Sequence, residues 1–121
     1  MSLAEGRPPR WSQGFTVRAG GRNEDISIGI SEPFPGPGSL WQCTLTVDAV
    51  EGATVRPVLG ISALQALELA IDNLRLEEWQ FVIKFGLKLL DPVTLEPEFD
   101  EAELRIYLSN PPRLAARRAD A

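Results

Sequence analysis

The sequence predicts an α+β fold: a small antiparallel sheet of about four to six strands with one amphipathic helix packed on one face. Three observations carry this. Segments between Trp11 and Leu59 alternate apolar and polar residues with a period of two. Glycine- and proline-rich turns separate them at short intervals, so consecutive strands pair as hairpins. The stretch Gly60 to Trp79, GISALQALELAIDNLRLEEW, then changes to a helical period.

Met1 to Arg10 contains Gly6, Pro8 and Pro9 and reads as a flexible lead-in, with Met1 to Leu3 resembling a vector remnant. From Trp11, residues Trp11, Gln13, Phe15 and Val17 point one way, and Ser12, Gly14, Thr16 and Arg18 the other. Gly20 and Gly21 supply the positive φ angles of a tight hairpin. Ile26, Ile28 and Ile30 form the apolar side of the second strand. Glu32 to Ser39, EPFPGPGS, reads as a loop stiffened by Pro33, Pro35 and Pro37. Phe34 within it is either a lid over the core or an exposed anchor. Leu40 to Val47 is the third strand, with Trp41, Cys43, Leu45 and Val47 inward. Asp48 to Ala53 is a turn, and Thr54 to Leu59 a fourth strand. Pro57 cannot donate to a ladder, which makes that strand an edge.

Ser62 and Gln65 form an S-x-x-Q capping box at the start of the helix. Neither proline nor glycine interrupts the sequence before Trp79. Ala63, Leu64, Leu67, Ala70, Ile71 and Leu74 fall within an arc of roughly 120°, the expected core face. Leu69 and Leu76 lie off this arc. Either a neighbouring strand or loop covers them, or they form a partner surface. Trp79 lies on the polar side near the helix end, to cap the core or anchor a partner.

Beyond the helix, Phe81, Ile83, Phe85, Leu87 and Leu89 alternate and read as a strand, with continued helix as the alternative. Asp91 to Asp100 is a loop. Leu104, Ile106 and Leu108 suggest a last strand; a short helix capped by Asp100 is the competing reading. Residues 11–110 are expected to form one domain, with residues 1–10 and 111–121 as flexible termini.

Composition narrows the function. The 121-residue chain has a net charge of −5, which argues against nucleic acid as a partner. It contains no histidine, so imidazole bases, Ser-His and Cys-His pairs and histidine metal ligands are excluded. Cys43, the one cysteine, sits among core-facing residues and reads as a small hydrophobe in a reducing, cytoplasmic setting. No run of about 18 apolar residues is present to span a membrane. The carboxylates Glu96, Glu98, Asp100, Glu101 and Glu103 lack calcium-loop spacing and read as a solvated acidic surface. Phosphate-loop and nucleophile-elbow patterns do not occur.

The succession PFPGPGSLWQC, TLTVDAV and VLGISALQALELAIDNLR resembles a family of small uncharacterised bacterial proteins. The residues that carry the likeness are Pro35, Gly36, Gly38, Trp41, Cys43, Gly60, Ser62, Gln65, Ala66, Leu67 and Ala70, within about Pro33 to Arg75. That resemblance implies no activity, since no function is assigned to the family.

The reading that follows is a non-enzymatic protein-interaction or self-associating module, bound to a protein partner or forming a homodimer. Its expected surface is Leu69, Leu76 and Trp79. The alternative is a small-ligand or anion-binding protein, or a minor enzyme, with Ser62 and Gln65 at the helix N-terminus as its site. No catalytic residue, metal or cofactor is assigned.

Overall fold

The computed structural model describes residues 6–49 and 52–113. The expectations for residues 1–5, for positions 50 and 51 of the turn, and for 114–121 of the tail fall outside the described residues. The fold is α+β, as its patterning predicts. Strands β1 (Trp11–Ala19) and β2 (Arg22–Ile30) form a hairpin. A two-residue strand β3 (Phe34–Pro35), then β4 (Trp41–Ala49) and β5 (Gly52–Gly60), follow. Helix α1 (Ala63–Phe85) runs into a 3-10 turn at Gly86–Lys88. A short strand β6 (Leu89–Leu90) and helix α2 (Glu101–Leu108) complete the described chain.

All strand pairs are antiparallel. β5 pairs with β4 along its whole length, so β2 and β3 share the other edge of β4. The lateral order is therefore β5, β4, β2 with β3, β1, β6. Gly20 (φ 58°) and Gly21 (φ 77°) close the first hairpin in the left-handed region that two-residue turns require. Pro57 lies on an edge strand, as its missing N–H demands.

The core lies between one sheet face and α1. Phe15, Val17, Ile26, Ile28, Ile30, Cys43, Leu45 and Val58 are buried there. Ala66 and Ala70 of α1 are fully buried, while Leu64 is 68% and Ile71 36% exposed. The helix is thus rotated by roughly 60° from the face its large residues mark. Small residues face the sheet because the helix sits close to it. A Cβ on Gly60 would lie 2.5 Å from the Ala66 amide nitrogen. Burial on the front of the strands corrects a second expectation: Trp11 is 46% exposed, whereas Trp41 is half-buried and packs against the core as expected.

Strand β3 falls inside Glu32 to Ser39, the segment read as a loop, and two longer elements also differ from the favoured sequence reading. Residues 81–85 continue α1 and do not form a strand. Phe81, Val82 and Phe85 pack inward at helical spacing, and Gly86 (φ 53°) stops the helix. Only Leu89 and Leu90 reach the sheet, beside Val17 and Thr16. Residues 101–108 are also helical. Asp100 accepts from the Glu103 amide at 2.8 Å, and the Asp100 amide donates to the Glu103 carboxylate at 3.1 Å, a complete capping box. Among the described residues there are therefore two α-helices, the second short.

The back of the sheet is crossed by Arg7 to Arg10. The Arg7 amide donates to the Thr44 hydroxyl at 2.9 Å, and the Arg7 guanidinium lies 4.4 Å from the centre of the Phe34 ring. Phe34 is buried here, on the back of the sheet and outside the core beneath α1, so it is neither a lid over that core nor an exposed anchor. Gly60→Ala should destabilise the protein by about 1–3 kcal/mol through overpacking. Gly14→Ala, whose Cβ would meet nothing closer than 3.7 Å, should change stability by less than about 1 kcal/mol in the same urea titration.

Candidate functional site

Helix α1 packs chiefly on β4, β5 and β2, and the 3-10 turn meets β1. It begins beside Gly60 on one edge strand and ends where Leu89 joins the other edge. This oblique course leaves the start of β1 uncovered. A groove of about 320 Å³ lies there, lined by Trp11, Gln13, Ile30, Leu67, Ile71 and Leu74. Its walls are mostly apolar, with Ser12 and Gln13 as the polar members. Trp11 offers a broad, stiff ring at a solvent-open position, the residue type in which binding energy concentrates.

The groove adjoins an open strand edge. β1 pairs with β2 throughout, but on its other side β6 reaches only Thr16 and Val17. Among the described residues nothing pairs with Trp11 to Phe15 on that side. No charge or proline guards these five positions, Trp-Ser-Gln-Gly-Phe, although exposed edges are commonly protected by either.

The residues singled out from the sequence lie elsewhere and are not brought together. Leu76 is 2% exposed, and Leu69 packs against the core. Neither offers a surface stripe. The Ser62 hydroxyl accepts from the Gln65 amide at 3.1 Å, and the Gln65 side-chain oxygen accepts from the Ile61 amide at 2.7 Å. The two cap residues spend their polar groups on the local chain. Trp79 is half-buried near Tyr107 and the segment Asn110 to Arg113, and its indole N–H is buried without a partner among the described residues. Trp11 and Ile71 were hidden within apolar patterns that read as core. Ala66 and Ala70, two small residues one turn apart, were the available signal for the true inward face.

The Arg10 guanidinium stands 5.8 Å from the centre of the Trp11 ring, whereas the groups with shifted pKa values lie away from the groove. Glu78 accepts from the Tyr107 hydroxyl at 3.1 Å, and burial raises its carboxyl above the usual range. The Tyr107 bond and the charge of Arg75 act against that rise, and Glu98 reinforces it. Burial also raises the Tyr107 hydroxyl and the Cys43 thiol, which leaves Cys43 an unreactive core group. Asp91 is lowered, because its carboxylate accepts from the amides of Thr94 and Val93. Among the described residues no group of three or more His, Cys, Asp or Glu could hold a metal ion, and no helix is long and apolar enough to cross a membrane.

A carboxyl raised on folding favours the protonated native state. Its contribution to stability is full below the unfolded pKa and is lost as pH rises through the folded one. Glu78→Gln should therefore remove part of the decline in stability across that window, seen as a wild-type-minus-variant difference in thermal midpoint that falls through the window and levels off above it. Tyr107→Phe should raise the Glu78 carboxyl further, by deleting a hydrogen bond to its charged form.

Comparisons with curated proteins and with solved structures give no match. A family model described as a domain of unknown function matches residues 12–77, from the second residue of β1 into α1. That span exceeds half of the chain and contains most of the groove, and the protein belongs to this family, DUF6968.

Proposed function

We propose that the protein is a non-enzymatic interaction module of the cytoplasm that receives an extended polypeptide segment along the free edge of β1. The observation that supports this is the apolar groove at Trp11 lying directly beside unpaired strand backbone. A strand added there gains main-chain hydrogen bonds from the edge. Alternate side chains of that strand fall towards Leu67, Ile71 and Leu74. The two sources of affinity lie on one line, so the preferred segment is one that alternates apolar and polar residues. The buried, unpaired Cys43 supports placing the protein in a reducing compartment.

Selection of displayed peptides on the immobilised protein tests this. Enriched sequences should share an alternating apolar pattern, and Ile71→Glu should weaken their binding by at least about tenfold, or about 1.4 kcal/mol. Enrichment without such a pattern, or binding indifferent to Ile71→Glu, would sink the reading. Ile71 is 36% exposed, so its replacement should cost little stability.

A further inference from the structure

We infer that the lead-in segment Arg7 to Arg10, clamped on the back of the sheet, is the positioning element for Trp11 on the front, so that its docking and the filling of the groove are coupled. The inference rests on the reading above and names what controls that site.

Trp11 needs support from outside its strand. It is the first residue of β1 and pairs with Ile30, the last of β2, so the two stand at the open end of the hairpin ladder. On its other side Trp11 has no strand partner among the described residues. It is also 46% exposed, which leaves little packing to hold it. Strand ends in that position are the first to fray.

The lead-in supplies the support through the backbone. The Arg10 amide donates to the Ile30 carbonyl at 2.8 Å, although Ile30 is already the register partner of Trp11. Two residues of one chain segment thus oppose one of β2, the arrangement of a β-bulge. A bulge bends its strand and re-aims the side chains it carries. This one lies where the chain passes from the back of the sheet into β1, so the setting of Trp11 depends on where residues 7–10 lie.

Anchors on β2, β4 and the segment after β2 fix that position. The Thr44 hydroxyl accepts from the Arg7 amide at 2.9 Å. Pro9 fills the place a side chain would take at Gly29: a Cβ there would lie 2.6 Å from the Pro9 Cβ and 3.1 Å from the Trp11 carbonyl oxygen. The Arg10 Nε pairs with Glu32 at 3.1 Å. Pro8 and Pro9 fix two successive φ angles between these anchors, so the hold at Arg7 is transmitted to Trp11 through a stiff piece of chain. Release of the Arg7 amide from Thr44, which is 3% exposed, would leave a donor without its partner at a buried surface, so the segment docks as a unit or comes away. Trp11 and Ile30 both line the groove. A segment resting there therefore favours the docked lead-in, and by linkage the docked lead-in favours the segment by the same factor.

Nuclear magnetic resonance of the full chain tests this. Trp11 carries one of three indole N–H signals, assigned by its loss in Trp11→Phe. Thr44→Val removes the acceptor of the Arg7 amide from β4, which β2 separates from β1. It should speed exchange of that amide at least about tenfold and lower the order of the Trp11 indole, while the Trp79 indole keeps its own. Thr44→Ser retains the hydroxyl and should behave as wild type. Glu32→Gln, a change at an exposed position, should act in the same direction as Thr44→Val but less. For a capped hexapeptide of alternating valine and threonine, Thr44→Val should weaken binding at least about fivefold, and the bound hexapeptide should slow Arg7 exchange in the wild-type protein to match. A Trp11 indole that keeps its order while the Arg7 amide exchanges freely overturns the inference. So does a response to Gly29→Ala without one to Thr44→Val, because a methyl at position 29 also presses on the Trp11 carbonyl directly. A wild-type protein indifferent to the hexapeptide counts against the proposed function, and the Trp11 signal decides the clamp in either case.

Discussion

The seat of α1 on Gly60 constrains the rest of the molecule. Strand β5 ends in a residue without a side chain, and the helix backbone comes down into that space at Ala66. The helix start is thereby tied to one edge of the sheet. Its end is tied to the other, because Leu89 and Leu90 must reach β1 immediately after the Gly86 stop. A 23-residue helix is about 35 Å long, whereas five strands at about 4.8 Å spacing span about 19 Å. Only an oblique crossing joins the two ties. An oblique helix cannot cover all four corners of a sheet: one corner it leaves open holds Trp11, and the opposite one holds the exposed start of β5. The groove follows from backbone placement and requires no special local sequence.

The two faces of the sheet are finished by different means. The front is closed by apolar packing against α1. The back is closed by polar chemistry: the Ser31 hydroxyl accepts from the buried Thr44 amide at 2.8 Å and donates to the Glu32 carbonyl at 2.9 Å. The Thr44 hydroxyl receives the Arg7 amide from the crossing lead-in. Each buried hydroxyl is thus paired, as burial requires. The lead-in also carries the chain away from the β1 edge, so closing the back and freeing the edge are one structural event.

The strands, their turns, the Ser62 cap and the edge position of β5 were legible because each rests on a local rule: period, glycine φ, a capping hydroxyl, a missing N–H. The segment from Phe81 to Leu89 was not, because its apolar spacing satisfies two periods at once. Phe81, Phe85 and Leu89 recur every four residues, and the intervening Ile83 and Leu87 complete an alternation although both are largely exposed. Length decided it, since nothing stops the helix before Gly86. At residues 101–108 the cap of Asp100 outweighed a three-member alternation. The candidate surface was misplaced for a tertiary reason. Large residues were assumed to face the sheet, but close approach admits only Ala66 and Ala70, and Leu64 and Ile71 are turned outward. No periodicity in α1 alone contains the position of Gly60.

The net charge of −5 and the uncharged run from Trp11 to Phe15 bear together on the proposed reading. At an ionic strength near 0.15 M, charges interact over about 8 Å, so contacts between acidic surfaces are disfavoured at close range. A segment received along the start of β1, as proposed, would meet strand backbone and the Trp11 ring, with the Arg10 guanidinium 5.8 Å from the centre of that ring. Under that reading, specificity would come from strand geometry and from what excludes other contacts.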